Sequence, residues 1–411
     1  MNKRNLLALI ITFALVSAYS FTEGSWFNSY VSQVLEMDKI WVSVMVATSG
    51  FMGAVFFIIW GAISDNNRDR FGRRKSILVS GLVITGILVI FFGISKNYFM
   101  CLFLDGILIG ISSNMFHSTR KALVPDLTTI QERGKVNSNI LIFGGIGGVF
   151  TYLFMIWGQR DMNGNFTEFT HVLVITITGI FLLVGSILVF LTLEEPMENL
   201  PPKRNWWRDI KNIFDWQEFK SHRDFYRFFL AYLMPIMARY AYFPFLILYI
   251  QEMGLTAIEI LIYSLIMGIG TILGPIIFTR ISDKLGRKKV VLITLPCAVL
   301  GFLMLAFLSY NIWILYSGIF ILSFFLEGHN YTSETWSEDL VDEDSRGRFL
   351  GIVNLTSSAG QIPGVILSGL FSDIFGLWIV FIIAAVFVIL SIPLYIRVPD
   401  YVVREKKVLS N

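Results

Sequence analysis

Four ionisable residues interrupt long apolar runs: Glu23 in "SAYSFTEGSWFNSY", Asp105 in "LFLDGILIG", Arg239 in "PIMARYAYFPF" and Glu327 in "SFFLEGHNYTSETW". An ionisable side chain at the centre of a membrane costs about 2.5–3.5 kcal/mol or more, so each is a functional candidate by default. The chemistry open to such residues is ion pairing, proton carriage and hydrogen bonding to a polar solute. From the 1.5 Å rise per residue of a helix, Glu23, Asp105 and Arg239 lie roughly 14, 12 and 16 Å from the ends of their runs and could share one layer. Arg239 is expected to pair with Glu23, which leaves Asp105 as a surplus acid able to carry a proton. Asn114, further along the run of Asp105, is a further candidate for contact with solute or coupling ion, and Trp26 and Tyr240 could offer rings to a sugar or another planar face.

The elements that must position these residues are membrane helices. The 411 residues are 55% hydrophobic and only 15% charged, with a mean hydropathy of +0.66. Soluble domains carry charge at roughly a quarter of their positions, so a water-soluble class is excluded. Apolar runs bounded by charge, Gly or Pro predict helices near 5–32, 40–63, 76–95, 97–119, 137–158 and 171–193, then near 225–250, 257–279, 290–309, 311–333, 349–371 and 376–396. These are twelve spans in two sets of six. The first run is longer than the roughly 7–15-residue core of a signal peptide and is read as the first membrane helix. Residues 194–224 form a polar connection in which Trp207, Ile210 and Phe214 share a helical face, the pattern of an amphipathic helix on the membrane surface. The expected organisation is a bundle over 1–193, this linker over 194–224, and a second bundle with a short tail over 225–411.

Of the 33 Lys and Arg residues, 29 fall on the side that holds both termini. Lys39, Lys96 and Arg160 lie on the opposite side, and Arg239 lies within a span. Basic residues stay in the cytoplasm, so both termini are expected there, in a multi-pass protein of the cell membrane. Cys101 and Cys297 sit far apart in apolar runs and imply no disulfide framework. No metal-ligand spacing, nucleotide-binding loop or nucleophile elbow stands out, so neither a metal, a cofactor nor an enzymatic reaction is expected. Nothing points to nucleic acid.

Two polar loops recur. "SDNNRDRFGRRK" follows the second span and "SDKLGRKK" the second span of the later set, while Asp126 and Arg133 after the fourth span recur with the same spacing of seven as Asp339 and Arg346. Loops repeated in order and position indicate a duplicated six-helix unit with parallel repeats. A carboxylate such as Asp65 or Asp283 at a helix end could accept hydrogen bonds from an opposing helix N-terminus. Gly72 and Gly286 suit a turn that needs positive φ.

In these residues the chain resembles the major facilitator superfamily, whose signature loop "DRFGRRK" and "SDKLGRKK" are similar to and whose loop after the fourth helix "DLTTIQERGK" resembles. The resemblance implies an all-α membrane fold of twelve helices in two parallel six-helix repeats. It also implies alternating access, with Asp65, Gly72, Arg73, Arg74, Asp283, Gly286 and Arg287 as a conformational latch. Asp65 lies seven residues before Gly72, whereas Asp283 lies three before Gly286. That longer first loop resembles glycoside-pentoside-hexuronide and sucrose carriers and implies a sugar-like solute. The second span, "WVSVMVATSGFMGAVFFIIWG", lacks the acids of the sodium-coupled members, so sodium coupling by that site is not implied, and the expected coupling ion is the proton that Asp105 could carry. The reading is a monomeric secondary transporter that moves a small polar solute in symport with protons. An efflux carrier for amphipathic organic compounds, and a membrane sensor or lipid-handling protein that transports nothing, remain alternatives.

Overall fold

The computed structural model describes residues 2–128, 136, 139–140, 142–148, 158–160, 166–195, 223–340 and 346–400. Apolar runs of 18 residues or more satisfy their backbone groups internally in lipid only as helices or closed barrels, and helices are what these runs form. They are α1 (Lys3–Val34), α2 (Lys39–Asn66), α3 (Lys75–Ile94), α4 (Tyr98–Leu127), α5 (Glu168–Thr192) and α6 (Arg223–Glu252). They continue as α7 (Ile258–Leu285), α8 (Arg287–Phe307), α9 (Ile312–Ser337), α10 (Arg346–Phe375) and α11 (Ile379–Ile396). Ten of these are long and apolar enough to cross a membrane, and the apolar part of α10 over Ala359–Phe375 is shorter. The span expected over 137–158 falls mostly outside the described residues, although 142–148 are helical. The surface helix expected around Trp207, Ile210 and Phe214 lies outside them altogether. The fold is the all-α architecture that the resemblance implies; among the described residues the non-helical pairing is one isolated bridge, Arg160 with Phe166.

The chain forms two compact units. One comprises Met1–Arg204 with Pro244–Leu261, the other Asn205–Phe243 with Ile262–Asn411. The division falls inside α6, where Phe243–Phe245 tightens into a 3-10 turn around Pro244. Proline has no N–H to continue the helical ladder, which explains the irregular turn there.

Within each unit small residues let helices approach, as expected where lipid supplies no hydrophobic drive for helix pairing. A Cβ on Gly86 of α3 would lie 2.9 Å from the carbonyl oxygen of Gly179 in α5. In the other unit a Cβ on Gly301 of α8 would lie 2.8 Å from the amide nitrogen of Leu322 in α9. The helix starts are capped from the sequence: Asn97 Oδ1 accepts from the Phe99 amide at 2.8 Å, and Asn311 Oδ1 accepts from the Trp313 amide at 3.0 Å. Asn97 and Asn311 open the fourth helix of their respective halves, so the duplication reaches the caps. Large apolar side chains such as Phe51, Ile187 and Ile389 stay exposed, as a lipid-facing surface requires.

Candidate functional site

Two of the four membrane charges lie within electrostatic reach of each other in the first unit. Glu23 lies in a π-helical stretch of α1, Thr22–Phe27, and Asp105 in a π-helical stretch of α4, Leu102–Ile109. Such widened turns add a residue to the helix and are frequent at functional sites. The α4 stretch packs on α2, where a Cβ on Gly106 would meet Thr48 Cγ2 at 3.0 Å and one on Gly110 would meet the Ser49 carbonyl oxygen at 3.5 Å. Ser49 in turn donates to Glu23 Oε1 at 3.4 Å. Asp105 is 2% exposed, and its Oδ1 has no hydrogen-bond partner. The neighbouring charge that acts on Asp105 is that of Glu23, another acid. Tyr19, fully buried, lies within reach of both acids and of Ser113.

The other two charges meet in the second unit. Arg239 Nη1 of α6 donates to Glu327 Oε1 of α9 at 2.8 Å, with the arginine side chain 37% and the glutamate side chain 12% exposed. This corrects the expected pairing of Arg239 with Glu23: its carboxylate partner stands on a helix of its own unit, and Glu23 bonds to Ser49 instead. Asn330, one turn along α9, donates weakly to Glu327 Oε2 at 3.4 Å, and its own Oδ1 has no partner. Tyr232, Tyr240 and Tyr242 lie within electrostatic reach of the guanidinium.

Two expected contacts are placed differently. Trp26, expected to offer its ring to a solute, is 1% exposed and packs against Phe166 and His171 with ring centroids 5.1 and 5.5 Å away. Its burial makes it a wall rather than a surface. Asn114 turns its amide onto its own helix and donates to the Gly110 carbonyl at 2.6 Å.

The loop residues form the same device twice. Arg74 bonds to Asp126, to Asp65 at 2.9 Å and to Ser64 at 3.2 Å. Arg287 bonds to Asp339 at 3.1 Å, to Asp283 at 2.5 Å and to Ser282 at 2.6 Å. Arg73 adds a second bond to Asp126 at 2.5 Å. In each loop the turn before the arginine needs positive φ, +129° at Gly72 and +94° at Gly286, which a side chain would make strained. Arg133 lies outside the described residues, as does the side chain of Arg346.

Sequence reasoning missed the acid that closes each loop. Glu195 accepts from the amides of Arg74 and Lys75 at the start of α3, and Asp400 accepts from the Lys288 amide at the start of α8 at 3.1 Å. Each acid follows the last helix of its half. Lys75 Nζ and Lys288 Nζ also bond back to that segment, at Leu193 and Val398 respectively. A carboxylate on free helix-start amides complements both the unsatisfied donors and the positive end of the helix.

This helical architecture, with its duplicated loop networks and its charges inside the spans, defines a membrane transporter. Residues 8–333 and 262–409 match the model of the Major Facilitator Superfamily, and the chain belongs to that family. It is therefore a transporter rather than an enzyme. Among solved structures, a mutant form of the nucleoside transporter NupG superposes with a TM-score of 0.77 at 14% identity, over 96% of this chain and 99% of that one. A bacterial homologue of the human lysosomal transporter Spinster, in an inward-facing and occupied conformation, superposes with a TM-score of 0.73 at 15% identity, over 96% and 97%. The class H tetracycline resistance protein of Pasteurella multocida is 34% identical over 98 residues, which is 24% of each chain. The chain thus matches about a quarter of that relative's length.

Proposed function

We propose that the protein is a proton-coupled secondary transporter that carries a small polar solute across the cell membrane by alternating access. The observation that supports this most is Asp105: a buried acid whose Oδ1 has no hydrogen-bond partner and whose charged neighbour is Glu23. A buried carboxyl group with an unpartnered oxygen beside a second acid is a place where a proton can be held and passed on. The pair Glu23 and Asp105 is the coupling site in this reading. Arg239 and Glu327, with Tyr240 nearby, form the solute site, since a half-exposed guanidinium beside a carboxylate offers donors and an acceptor to a polyol. The duplicated loop networks act as the latch: Asp65 and Asp283 keep more than half of their side-chain surface, 56% and 59%, while bonded to arginine. A carboxylate exposed in this way can also complement the positive end of a helix N-terminus. Both termini lie in the cytoplasm, and the working unit is a monomer.

The test is proton movement in lightly buffered medium around proteoliposomes as sugars, nucleosides, organic acids and amphipathic cations are added. Nucleosides join the panel because a structural relative carries them. The reading requires one solute to move protons with the wild type and not with Asp105→Asn. A second reading, export of amphipathic organic compounds, is favoured by the 98-residue match to a tetracycline resistance protein. Under it, lipophilic cations rather than polyols produce the proton signal.

A further inference from the structure

In the second unit one side of α9 carries Glu327, Asn330, Tyr331 and Glu334, at the helical spacings that place residues on a common face. At 1.5 Å per residue this face runs about 10 Å along the helix axis, the scale of a small polar solute. Tyr331 is 39% exposed, Glu334 is exposed and Glu327 is partly buried. Ionisable residues within a span face a bundle interior or a water-filled cavity rather than acyl chains, so solute and water can reach this stretch.

Charge along the face is unbalanced. Arg239 of α6 is engaged by Glu327 at 2.8 Å, and Glu334 adds a second acid. Tyr232, buried on α6 two turns before Arg239, feels Glu334, Arg239 and Glu327 together with the Tyr395 hydroxyl, so two carboxylates and one guanidinium bear on the same place. Of the other bases of this unit, Arg227 is paired with Asp224 at the start of α6, Arg280 is exposed near the end of α7, and α8 and α10 carry theirs in the first turn. Between the two acids of α9, Asn330 is 6% exposed; its amide nitrogen donates weakly to Glu327 at 3.4 Å and its Oδ1 has no hydrogen-bond partner. A buried carbonyl oxygen without a donor is costly, and a donor brought in by a solute removes that cost.

We propose that the solute bears a protonated amine, held by Glu334 and Asn330 Oδ1 beside the Tyr331 ring. The inference rests on the reading of Arg239 and Glu327 as the solute site and names the class of solute for it. An ammonium group supplies donors to both acceptors, and an aromatic ring nearby attracts organic cations. The rest of the solute meets Arg239 and Glu327, whose donors and acceptor suit hydroxyl groups. A carboxylate-bearing solute fits poorly: it has to draw Arg239 away from Glu327 and bring its own charge next to Glu334.

The experiment measures the rise in thermal midpoint of the full chain in detergent against matched probes: glucosamine, glucose and glucuronate; aminodeoxyadenosine and adenosine; phenethylamine and phenethyl alcohol. In at least one set the amine is expected to half-saturate at about tenfold lower concentration than its hydroxyl counterpart, the scale of one charge-assisted hydrogen bond. Glu334→Gln, a change at an exposed side chain, should bring that ratio to about one, and Glu334→Lys should turn the preference towards glucuronate. No stabilisation by any amine, a hydroxyl or carboxylate probe binding best in every set, or an amine preference that survives Glu334→Gln would overturn the proposal. Proton movement in proteoliposomes with a neutral or acidic probe alone would keep the transport reading and overturn the amine. An amine preference lost in Glu334→Gln, with no probe crossing the membrane, would keep the amine site and overturn the transport reading.

Discussion

Arg239 and Glu327 hold each other in the second unit at 2.8 Å, and removing either leaves the other buried to different degrees. Breaking a fully buried pair costs about 3–5 kcal/mol; here the loss is smaller because Arg239 keeps 37% exposure. Glu327→Gln should therefore lower the thermal midpoint of the detergent-solubilised protein. The swap Arg239→Glu with Glu327→Arg should recover most of that loss. If the guanidinium touches solute, the swap stays inactive although it folds, which separates a binding role from a structural one. The four charges were legible because each interrupts an apolar run. Their partners were not, because spacing gives depth along a helix and not the face. The π-helical turns at Glu23 and Asp105 make this worse: one extra residue rotates everything beyond it by about 100° on a helix of 3.6 residues per turn. Trp26 shows the same limit, since only the packing of Phe166 and His171 reveals that its ring is enclosed.

The loops before α3 and α8 are ordered by contacts that one positive-φ glycine and one distant acid make possible. Gly286→Ala would place a side chain at φ +94° with an extended ψ of 149°, at a cost of about 1–3 kcal/mol. Glu195→Gln would weaken the bonds to the amides of Arg74 and Lys75 and cost about 0.5–2 kcal/mol, read as a lower thermal midpoint. An unchanged midpoint in both would show that these turns do not order the helix starts. The arginine and aspartate of each network were visible as a repeat, because Arg74 and Asp126 keep a separation of 52 residues that Arg287 and Asp339 reproduce. Glu195 and Asp400 were not visible. They lie 120 and 112 residues beyond the lysine amides they bind, so no local window contains both partners.

At the scale of the whole chain, the two six-helix repeats and the family were legible because hydropathy and loop motifs depend on period and order alone. The division of the chain inside α6 was not, since a single apolar run over 225–250 conceals the 3-10 turn at Phe243–Phe245. The proposed cytoplasmic placement of the termini rests on loop charge and has its own test. In a cysteine-free background, Lys96→Cys should react with an impermeant thiol reagent on intact cells, and Arg70→Cys only after permeabilisation; the reverse pattern would invert the topology. The central claim is that solute movement is coupled to a proton carried by the Glu23 and Asp105 pair. It is tested most directly by solute-induced alkalinisation or acidification around proteoliposomes of wild type and Asp105→Asn at equal incorporation. The account predicts a proton signal with one solute class for the wild type and none for the variant, with labelled solute still exchanging in both. Equal proton flux in the two, with solute moving, would contradict it.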